Sequence, residues 1–206
     1  MKCSFRHERA LRAQGFLRIA GIDEAGRGPL AGPVVAAAVI LPEKFRHPTL
    51  TDSKKCTPLL RERLFLELTE HSSVQWAVAQ ADVEEIDRIN ILRASHEAMR
   101  RAVLLLPAPP DHVLIDGLPV APFQVLQTAL IGGDGCSFSI AAASIIAKVT
   151  RDRIMREMDA QHPGYDFSQH KGYGTELHLA RLRTHGPCPI HRRSFLPVQQ
   201  ALLSFA

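Results

Sequence analysis

Short apolar runs bounded by polar turns dominate the first part of the chain and predict three β-strands. Residues 17–23 alternate roughly between apolar and polar positions, and residues 34–41 form a continuous apolar run that stops at a proline. Residues 73–81 give a third strand, after a helix over residues 57–70 that opens with Thr-Pro. Because these strands follow one another with short connections, the sheet should begin mainly antiparallel.

A helical period replaces the strand pattern after the third strand. Asp82 and Glu85 have the spacing of a capping box, and one long helix is predicted from there to about Leu106. The apolar stripe expected to face the sheet consists of Ile91, Ala94, Ala98, Ala102 and Leu105.

The second half of the chain predicts a second set of strands and helices. Residues 112–115 form a short apolar run, which would carry Asp116 at the C-terminal end of a strand. After it we expect a strand over residues 123–131, a turn at 132–135, a helix over Phe138–Met158, a helix from about Glu176 to Thr184 and an apolar segment over 195–205. The pattern therefore predicts an α/β fold with a mixed sheet and a helical C-terminal third.

The composition is compatible with one core. The chain has 206 residues, of which 46% are hydrophobic. We expect a single domain over residues 1–206, with a lead-in over about 1–16 and a helical C-terminal extension over about 160–206. The formal net charge of +4 slightly favours a polyanionic partner.

Several features favour a cytoplasmic protein. The four cysteines are widely separated and form no CxxC pair, which is typical of reduced thiols. The N-terminal residues turn polar too early for a signal peptide, and no stretch of about 20 residues is uniformly apolar. We therefore expect no membrane association, and we expect a monomer.

Acidic residues follow two of the predicted strands. Asp23 and Glu24 come at the end of the first strand, just before glycines, and Asp116 ends the strand over residues 112–115. Open α/β sheets usually place ligands at the C-terminal ends of their strands. A single acid at such a position is more often merely solvated, so two strands ending in this way leave both interpretations open.

A further carboxylate lies on the next predicted helix. Ile145, Val149 and Asp152 fall at positions i, i+4 and i+7, so Asp152 continues a stripe that should face the protein. An acid there must be paired, neutralised or bound to a cation. Ser144 and Lys148 share a face with Asp152, so a Lys148–Asp152 surface ion pair is the alternative.

Converging acids of this kind suggest hard metal ions. Four carboxylates without a cation would repel one another, and some would hold their protons. Mg²⁺ and Mn²⁺ prefer carboxylate and water oxygens to imidazole or thiolate. Two such ions about 4 Å apart can hold an attacking water and stabilise the leaving oxygen of a phosphodiester. The acids therefore suggest a two-metal hydrolase of nucleic acid.

The glycine-rich segment over residues 26–31 nominally matches the dinucleotide-binding pattern with alanine last. We reject that interpretation because such a loop opens a helix, whereas a strand is predicted next, and because Asp23 and Glu24 would repel a bare pyrophosphate. Glycines beside metal-binding acids instead let the backbone approach a sugar or a phosphate closely.

Cationic and aromatic residues in two loops are suited to nucleic acid. Lys54 and Lys55 could contact phosphates, although a solvated charge run is the alternative. Tyr173 lies between glycines and could stack on a sugar or base, or could be a surface tyrosine in a turn. A third loop carries three residues with the spacing of zinc ligands, namely His185, Cys188 and His191. No fourth ligand lies nearby, so we interpret this segment as a loop only.

Together these motifs resemble the ribonuclease HII family, in order and over about residues 17–196. The matching segments are Gly21–Pro33, Asp52–Lys55, Leu114–Gly117, Ile140–Asp152, His162–Tyr165, Lys171–Thr175 and His191–Phe195. The resemblance implies a ribonuclease H-like fold with a C-terminal helical extension. It implies that Mn²⁺ or Mg²⁺ is bound by four catalytic acids: Asp23, Glu24, Asp116 and Asp152.

The resemblance also implies the substrates and their contacts. Members of the family cut RNA/DNA hybrids, and duplex DNA containing single ribonucleotides, leaving 5′-phosphate and 3′-hydroxyl ends. Their cellular role is to remove ribonucleotides from DNA and to degrade hybrids. The implied substrate-binding residues are Gly26, Arg27 and Gly28 at the ribose 2′-hydroxyl, Tyr173 at the RNA–DNA junction, and Lys54, Ser144 and Lys148 at phosphates.

Two other functions fit part of the pattern. A DNA junction nuclease on the same kind of sheet would cut all-DNA branched substrates with a divalent metal. A noncatalytic hybrid-binding module would bind tightly without cleavage, but would leave the clustered acids unexplained. Neither accounts for the acids, glycines and lysines together.

Overall fold

The computed structural model describes residues 3–205, and a five-stranded sheet lies at the centre of this part of the chain. The strand order is β3-β2-β1-β4-β5. Strand β2 pairs antiparallel with β1 and β3, whereas β4 runs parallel to β1 and β5. The predicted mixed sheet with an antiparallel start is therefore confirmed. The strands are β1 (Ile19–Ala25), β2 (Val34–Ile40), β3 (Gln75–Ala81), β4 (His112–Asp116) and β5 (Leu126–Leu130).

Helices cover both faces of the sheet, and three of them form the predicted C-terminal helical part. Within residues 3–205 the helices are α1 (Arg6–Arg12), α2 (Pro58–Thr69), α3 (Val83–Ile89), α4 (Ile91–Leu104), α5 (Phe138–Gln161), α6 (Phe167–His170), α7 (Glu176–His185) and α8 (Leu196–Ser204). None of them is both long enough and apolar enough to cross a membrane.

Strand β2 explains why residues 34–41 form an unbroken apolar run. Neighbouring side chains of a strand point to opposite faces of the sheet. Ala37 and Val39 pack in the same cluster as α5, whereas Ala36 and Ala38 pack in the same cluster as α4. Because helices cover both faces, every residue of β2 is buried and no polar alternation can develop.

The helix predicted over residues 82–106 is two helices, and this part of the prediction was wrong. Asn90 has a positive φ of 70° between α3 and α4, and its side chain accepts a hydrogen bond from the backbone N–H of Arg93 at 3.1 Å. It thereby caps the start of α4. Three residues of the predicted stripe, Ala94, Ala98 and Ala102, are buried, whereas Leu105 lies one residue beyond the end of α4 and is 62% exposed.

Helix α5 lies against β1 at a glycine. A Cβ atom at Gly21 would lie 2.1 Å from the carbonyl carbon of Ser139, so any other residue would push the helix off the sheet. This close approach holds α5 over the strand that carries Asp23 and Glu24. Ser144, farther along α5, hydrogen bonds to Ser53 at 2.9 Å and so brings the loop of Lys54 to the same place.

Helix α1 lies inside the segment predicted as a lead-in over residues 1–16, of which residues 1 and 2 fall outside the described part. It binds the start of α5, because the buried Glu8 carboxylate accepts hydrogen bonds from the Ser137 hydroxyl at 2.7 Å and the Ser139 backbone N–H at 3.0 Å. A carboxylate at a helix N-terminus is stabilised by the free N–H groups there. The N-terminal segment is therefore an integral part of the fold.

Candidate active site

Three carboxylates meet at one edge of the sheet. Asp23 lies near the end of β1, Asp116 is the last residue of β4, and Asp134 lies in the turn over Gly133–Gly135. One carboxylate oxygen of each lies within 4.8 Å of the others. Because β1 and β4 are parallel neighbours, their C-terminal ends reach the same edge. We call these three residues the acidic group.

Glycine at position 133 allows the turn of Asp134 to approach β4. The backbone N–H of Gly133 donates to Asp116 Oδ1 at 2.7 Å. A Cβ atom at this position would lie 2.5 Å from Ile140 Cδ1 and 3.4 Å from the same Asp116 oxygen. A larger residue would therefore force either the buried Ile140 side chain or the turn to shift, and a shift of the turn would move the carboxylate of Asp134.

Burial and mutual repulsion favour the protonated forms of these acids. Burial raises the pKa of Asp23 well above its ordinary value, and the neighbouring carboxylates of Glu24 and Asp116 raise it further. Burial also raises the pKa of Asp134, with a contribution from Asp116, while Lys54 opposes the rise. A divalent cation would remove this repulsion, and oxygen donors are the ligands that Mg²⁺ and Mn²⁺ prefer. The acidic group can therefore hold such an ion.

Glu24 lies beside the acidic group but is held by a different partner. Its Oε1 lies 3.1 Å from a guanidinium nitrogen of Arg27. Burial raises the pKa of Glu24, and the charge and hydrogen bond of Arg27 limit the rise. The carboxylate of Asp116 also acts on that pKa, so Glu24 is close enough to share the charge of the site.

The structure does not bring Asp152 into the acidic group. Its Oδ1 accepts a hydrogen bond from Lys148 Nζ at 2.7 Å, as in the alternative prediction of a Lys148–Asp152 ion pair, although both side chains are mostly buried.

Asp134 was not among the predicted site residues, because Gly132–Gly135 was predicted only as a turn. A local signal existed, because the acids at the ends of β1 and β4 also have a glycine within three residues after them.

The predicted substrate-binding residues line one groove next to Asp23 and Glu24. Its volume is about 240 Å³. The lining includes all seven of them, namely Gly26, Arg27, Gly28, Lys54, Ser144, Lys148 and Tyr173. The fold therefore gathers residues from four separate stretches of sequence into one surface.

Two buried arginines hold the glycine-rich segment from behind. The Arg192 guanidinium donates to the carbonyl oxygens of Gly26 at 2.6 Å, Arg27 at 3.0 Å and Gly32 at 2.8 Å. Arg151 donates to the carbonyls of Pro33, Lys171 and Ala31 at 2.9 to 3.0 Å. Since both are fully buried, the backbone carbonyls are their hydrogen-bond acceptors in place of water.

Tyr173 faces the same glycines across the groove. A Cβ atom at Gly28 would lie 4.0 Å from Tyr173 Cε1, so the ring stands over the bare backbone. Lys148 Nζ lies 5.7 Å from the centre of the ring. Tyr173 is 42% exposed, so its side chain is accessible for stacking on a sugar or base.

The zinc-like loop does not assemble a three-ligand site among residues 3–205. His191 Nδ1 lies 3.1 Å from Cys188 Sγ and accepts the backbone N–H of Cys188. His185 packs edge-on against Tyr165 instead, with 5.6 Å between the ring centres. The interpretation as a loop agrees with this arrangement.

The family model and the similar proteins that match this sequence carry the same family name. The ribonuclease HII family model matches residues 20–198. Ribonuclease HII of Desulfitobacterium hafniense is 55% identical over 197 residues, covering 96% of this chain and 75% of the relative. Ribonuclease HII of Myxococcus xanthus is 54% identical over 202 residues, covering 98% of this chain and 69% of the relative.

Solved structures show the same fold. The crystal structure of ribonuclease H2 from Pyrococcus horikoshii superimposes with a TM-score of 0.72 at 27% sequence identity. The superposition covers 92% of this chain and 99% of that one. The similarity therefore includes the sheet, the helices on both faces and the C-terminal helical part.

Proposed function

We propose, because this chain belongs to the ribonuclease HII family, that it cuts both long RNA/DNA hybrids and single ribonucleotides in duplex DNA by two-metal-ion catalysis. Family membership makes the chain a ribonuclease H, an endonuclease for the RNA of RNA/DNA hybrids. The observation that carries the rest is the acidic group of Asp23, Asp116 and Asp134 beside a groove of bare glycine backbone.

The metal-holding residues are Asp23, Asp116 and Asp134, with Glu24 completing the set. Asp134 takes the place first given to Asp152, because its carboxylate reaches the other two and that of Asp152 is paired with a lysine. When bound, Mn²⁺ or Mg²⁺ would supply an activated water and stabilise charge on the phosphate. The protein contributes the position of the oxygen donors and a buried setting in which their attraction to a bound cation is stronger than in water.

Selection of RNA follows from the groove. The 2′-hydroxyl distinguishes a ribonucleotide from a deoxyribonucleotide at one position. The backbone of Gly26–Gly28 is free of side chains at the glycines and is held by Arg192, so a ribose can approach its polar groups. Tyr173 stacks next to that ribose at the RNA–DNA junction.

Phosphate positioning falls to Lys54, Ser144 and Lys148, which line the same groove. The carboxylate of Asp152 accepts a hydrogen bond from Lys148 and thereby positions the ammonium group of this lysine. This leaves Asp152 important for substrate placement without a direct role at the metals. The corresponding cellular role is removal of ribonucleotides from DNA.

The test is a cleavage assay on defined duplexes. We would offer a labelled DNA duplex with one ribonucleotide, a long hybrid and an all-DNA branched duplex, each with Mg²⁺ and with Mn²⁺. We expect cuts at the ribonucleotide and within the hybrid, with 5′-phosphate and 3′-hydroxyl ends. Cleavage of the branched DNA would favour a junction nuclease, and tight binding without any cleavage would favour a binding module.

A further inference from the structure

Two clefts outside the catalytic groove meet at Lys55. The first has a volume of about 670 Å³ and is lined by Arg6 and His7 of α1. The second has a volume of about 640 Å³ and is lined by Arg46 and His47. Lys55 lines both of them. We call these five residues the basic wall.

The first cleft adjoins the metal-holding acids. Gly132, just before the turn of Asp134, and Gly135, its last residue, line the cleft together with Arg6. Helix α1 is fixed at this place because the buried carboxylate of Glu8 binds the first turn of α5. Arg6 therefore stands at a set position next to the catalytic edge of the sheet.

An aromatic contact joins the second cleft to α1. The Arg46 guanidinium lies over the ring of Phe5, with 5.6 Å to its centre. Phe5 in turn packs edge-on against Phe138 at the start of α5, with 5.1 Å between ring centres. The two clefts are thus built on one rigid support.

His47 of the basic wall is paired with Glu67, with 2.5 Å between Nε2 and Oε2, so the charge available to a ligand comes from Arg6, Arg46 and Lys55. Among the described residues no acidic side chain lines either cleft. Arg6 is exposed and has no ion pair within residues 3–205. Lys55 is 65% exposed, and its contact with Asp52 is long at 3.8 Å, so its charge remains available to a ligand.

We propose that the basic wall binds backbone phosphates of the substrate duplex on one side of the cut. This inference rests on the proposed function, because the scissile phosphate must reach the acidic group. A duplex lying there continues past the turn of Asp134 with one charge per about 1.7 Å of its axis. Arginine and lysine side chains, with backbone N–H groups of glycines, are the usual partners of such phosphates.

The experiment measures binding without chemistry. Binding of a labelled DNA duplex with one central ribonucleotide is followed by fluorescence anisotropy in EDTA, between 50 and 200 mM salt, for the wild type and Arg6→Gln/Lys55→Gln. Removing two phosphate contacts should lower the slope of log K against log salt by about 1.8. Between 50 and 200 mM salt, the factor by which the affinity falls should then be about tenfold smaller for the variant than for the wild type.

Shortened duplexes locate the contact. We would trim the duplex on one side of the ribonucleotide, and separately on the other side. The affinity difference between the wild type and the double variant should disappear with one trimmed duplex and persist with the other. Arg93→Gln serves as the matched control, since Arg93 is an exposed residue of α4, which packs on the face of the sheet opposite α5.

The proposal would be overturned if the double variant had an unchanged salt slope. It would also be overturned if the variant's affinity loss were the same with both trimmed duplexes. The salt slope would also be unchanged if the basic wall bound an acidic protein partner instead of the duplex. The readout needs no cleavage, so it is separate from the cleavage assay. Failure of the wild type to cut any ribonucleotide-containing duplex would instead reject the proposed function.

Discussion

The Nε2 atoms of His178 and His191 lie 3.0 Å apart, and both rings are buried. His191 Nδ1 accepts the backbone N–H of Cys188, so its proton must sit on Nε2. His178 Nε2 then accepts that proton, and its own Nδ1–H donates to the carbonyl of Tyr173 at 2.9 Å. Two neutral histidines therefore hold the backbone of the tyrosine in the groove.

This pair predicts loss of stability in mild acid. Burial, together with the charge of neighbouring histidines, lowers the pKa of His178 and of His191 to about 4. An unfolded histidine binds its proton near pH 6.5, so between about pH 6.5 and 4 the unfolded state holds more protons and the free energy of unfolding falls as the pH falls. The expected loss is on the order of 2 kcal/mol per histidine.

Urea unfolding at several pH values checks this prediction. Burial raises the pKa of the acids Asp23, Glu24 and Asp134, so their contribution to the pH dependence has the opposite sign. The informative quantity is therefore the difference in the free energy of unfolding between the wild type and His191→Asn. That difference should be largest at pH 7.5 and shrink towards pH 4.5. The exposed His185 provides the control, because His185→Gln removes a histidine that lies outside the buried pair. A difference that does not vary with pH would contradict the assignment.

Asp134→Asn and Asp152→Asn should behave differently. The first removes a metal-holding oxygen, so we expect at least a 100-fold loss of cleavage, as for Asp116→Asn, and little metal-induced rise in Tm. Without metal this variant should be slightly more stable than the wild type, because one repelled carboxylate is gone.

Asp152→Asn should keep the metal-induced rise in Tm and lose activity through weaker substrate binding, because Lys148 loses its partner. Thermal unfolding with and without Mn²⁺, and kcat and KM for both variants, separate the two roles. Equal loss of metal response in the two variants would return Asp152 to the metal site.

Arg192→Lys should weaken recognition of the ribose. A lysine cannot reproduce the planar guanidinium that serves the carbonyls of Gly26, Arg27 and Gly32 together. We expect a stability loss of about 2–3 kcal/mol and a larger KM for the single-ribonucleotide duplex. Binding of an all-DNA duplex in EDTA should change little. Urea unfolding and paired KM measurements test this, and an unchanged KM would argue against a positioning role.

Tyr173→Ala should reduce cleavage at a single ribonucleotide more than cleavage within a long hybrid. Loss of stacking is worth about 1–3 kcal/mol, so a loss of about tenfold in kcat/KM is expected at the junction. Tyr173→Phe keeps the ring and should retain most activity. Equal losses on the two substrates would count against a junction role.

Local sequence patterns were sufficient for most of the elements and for part of the site. The apolar run of β2, the Thr-Pro start of α2 and the acids at the ends of β1 and β4 are all visible within a few residues of chain. These features could be predicted because side-chain periodicity, helix capping and the ends of strands depend on residues close together in sequence. The order of motifs along the chain then indicated the family.

The tertiary structure alone decided which carboxylates meet. Asp152 continues an apolar stripe, but its place one turn beyond Lys148 gives it a lysine partner 2.7 Å away. Asp134 carries no periodic signal, and it joins Asp23 and Asp116 because Gly133 lets its turn pack against β4. Periodicity specifies which face of one element a residue occupies, whereas convergence of acids from three elements depends on long-range packing that no single segment encodes.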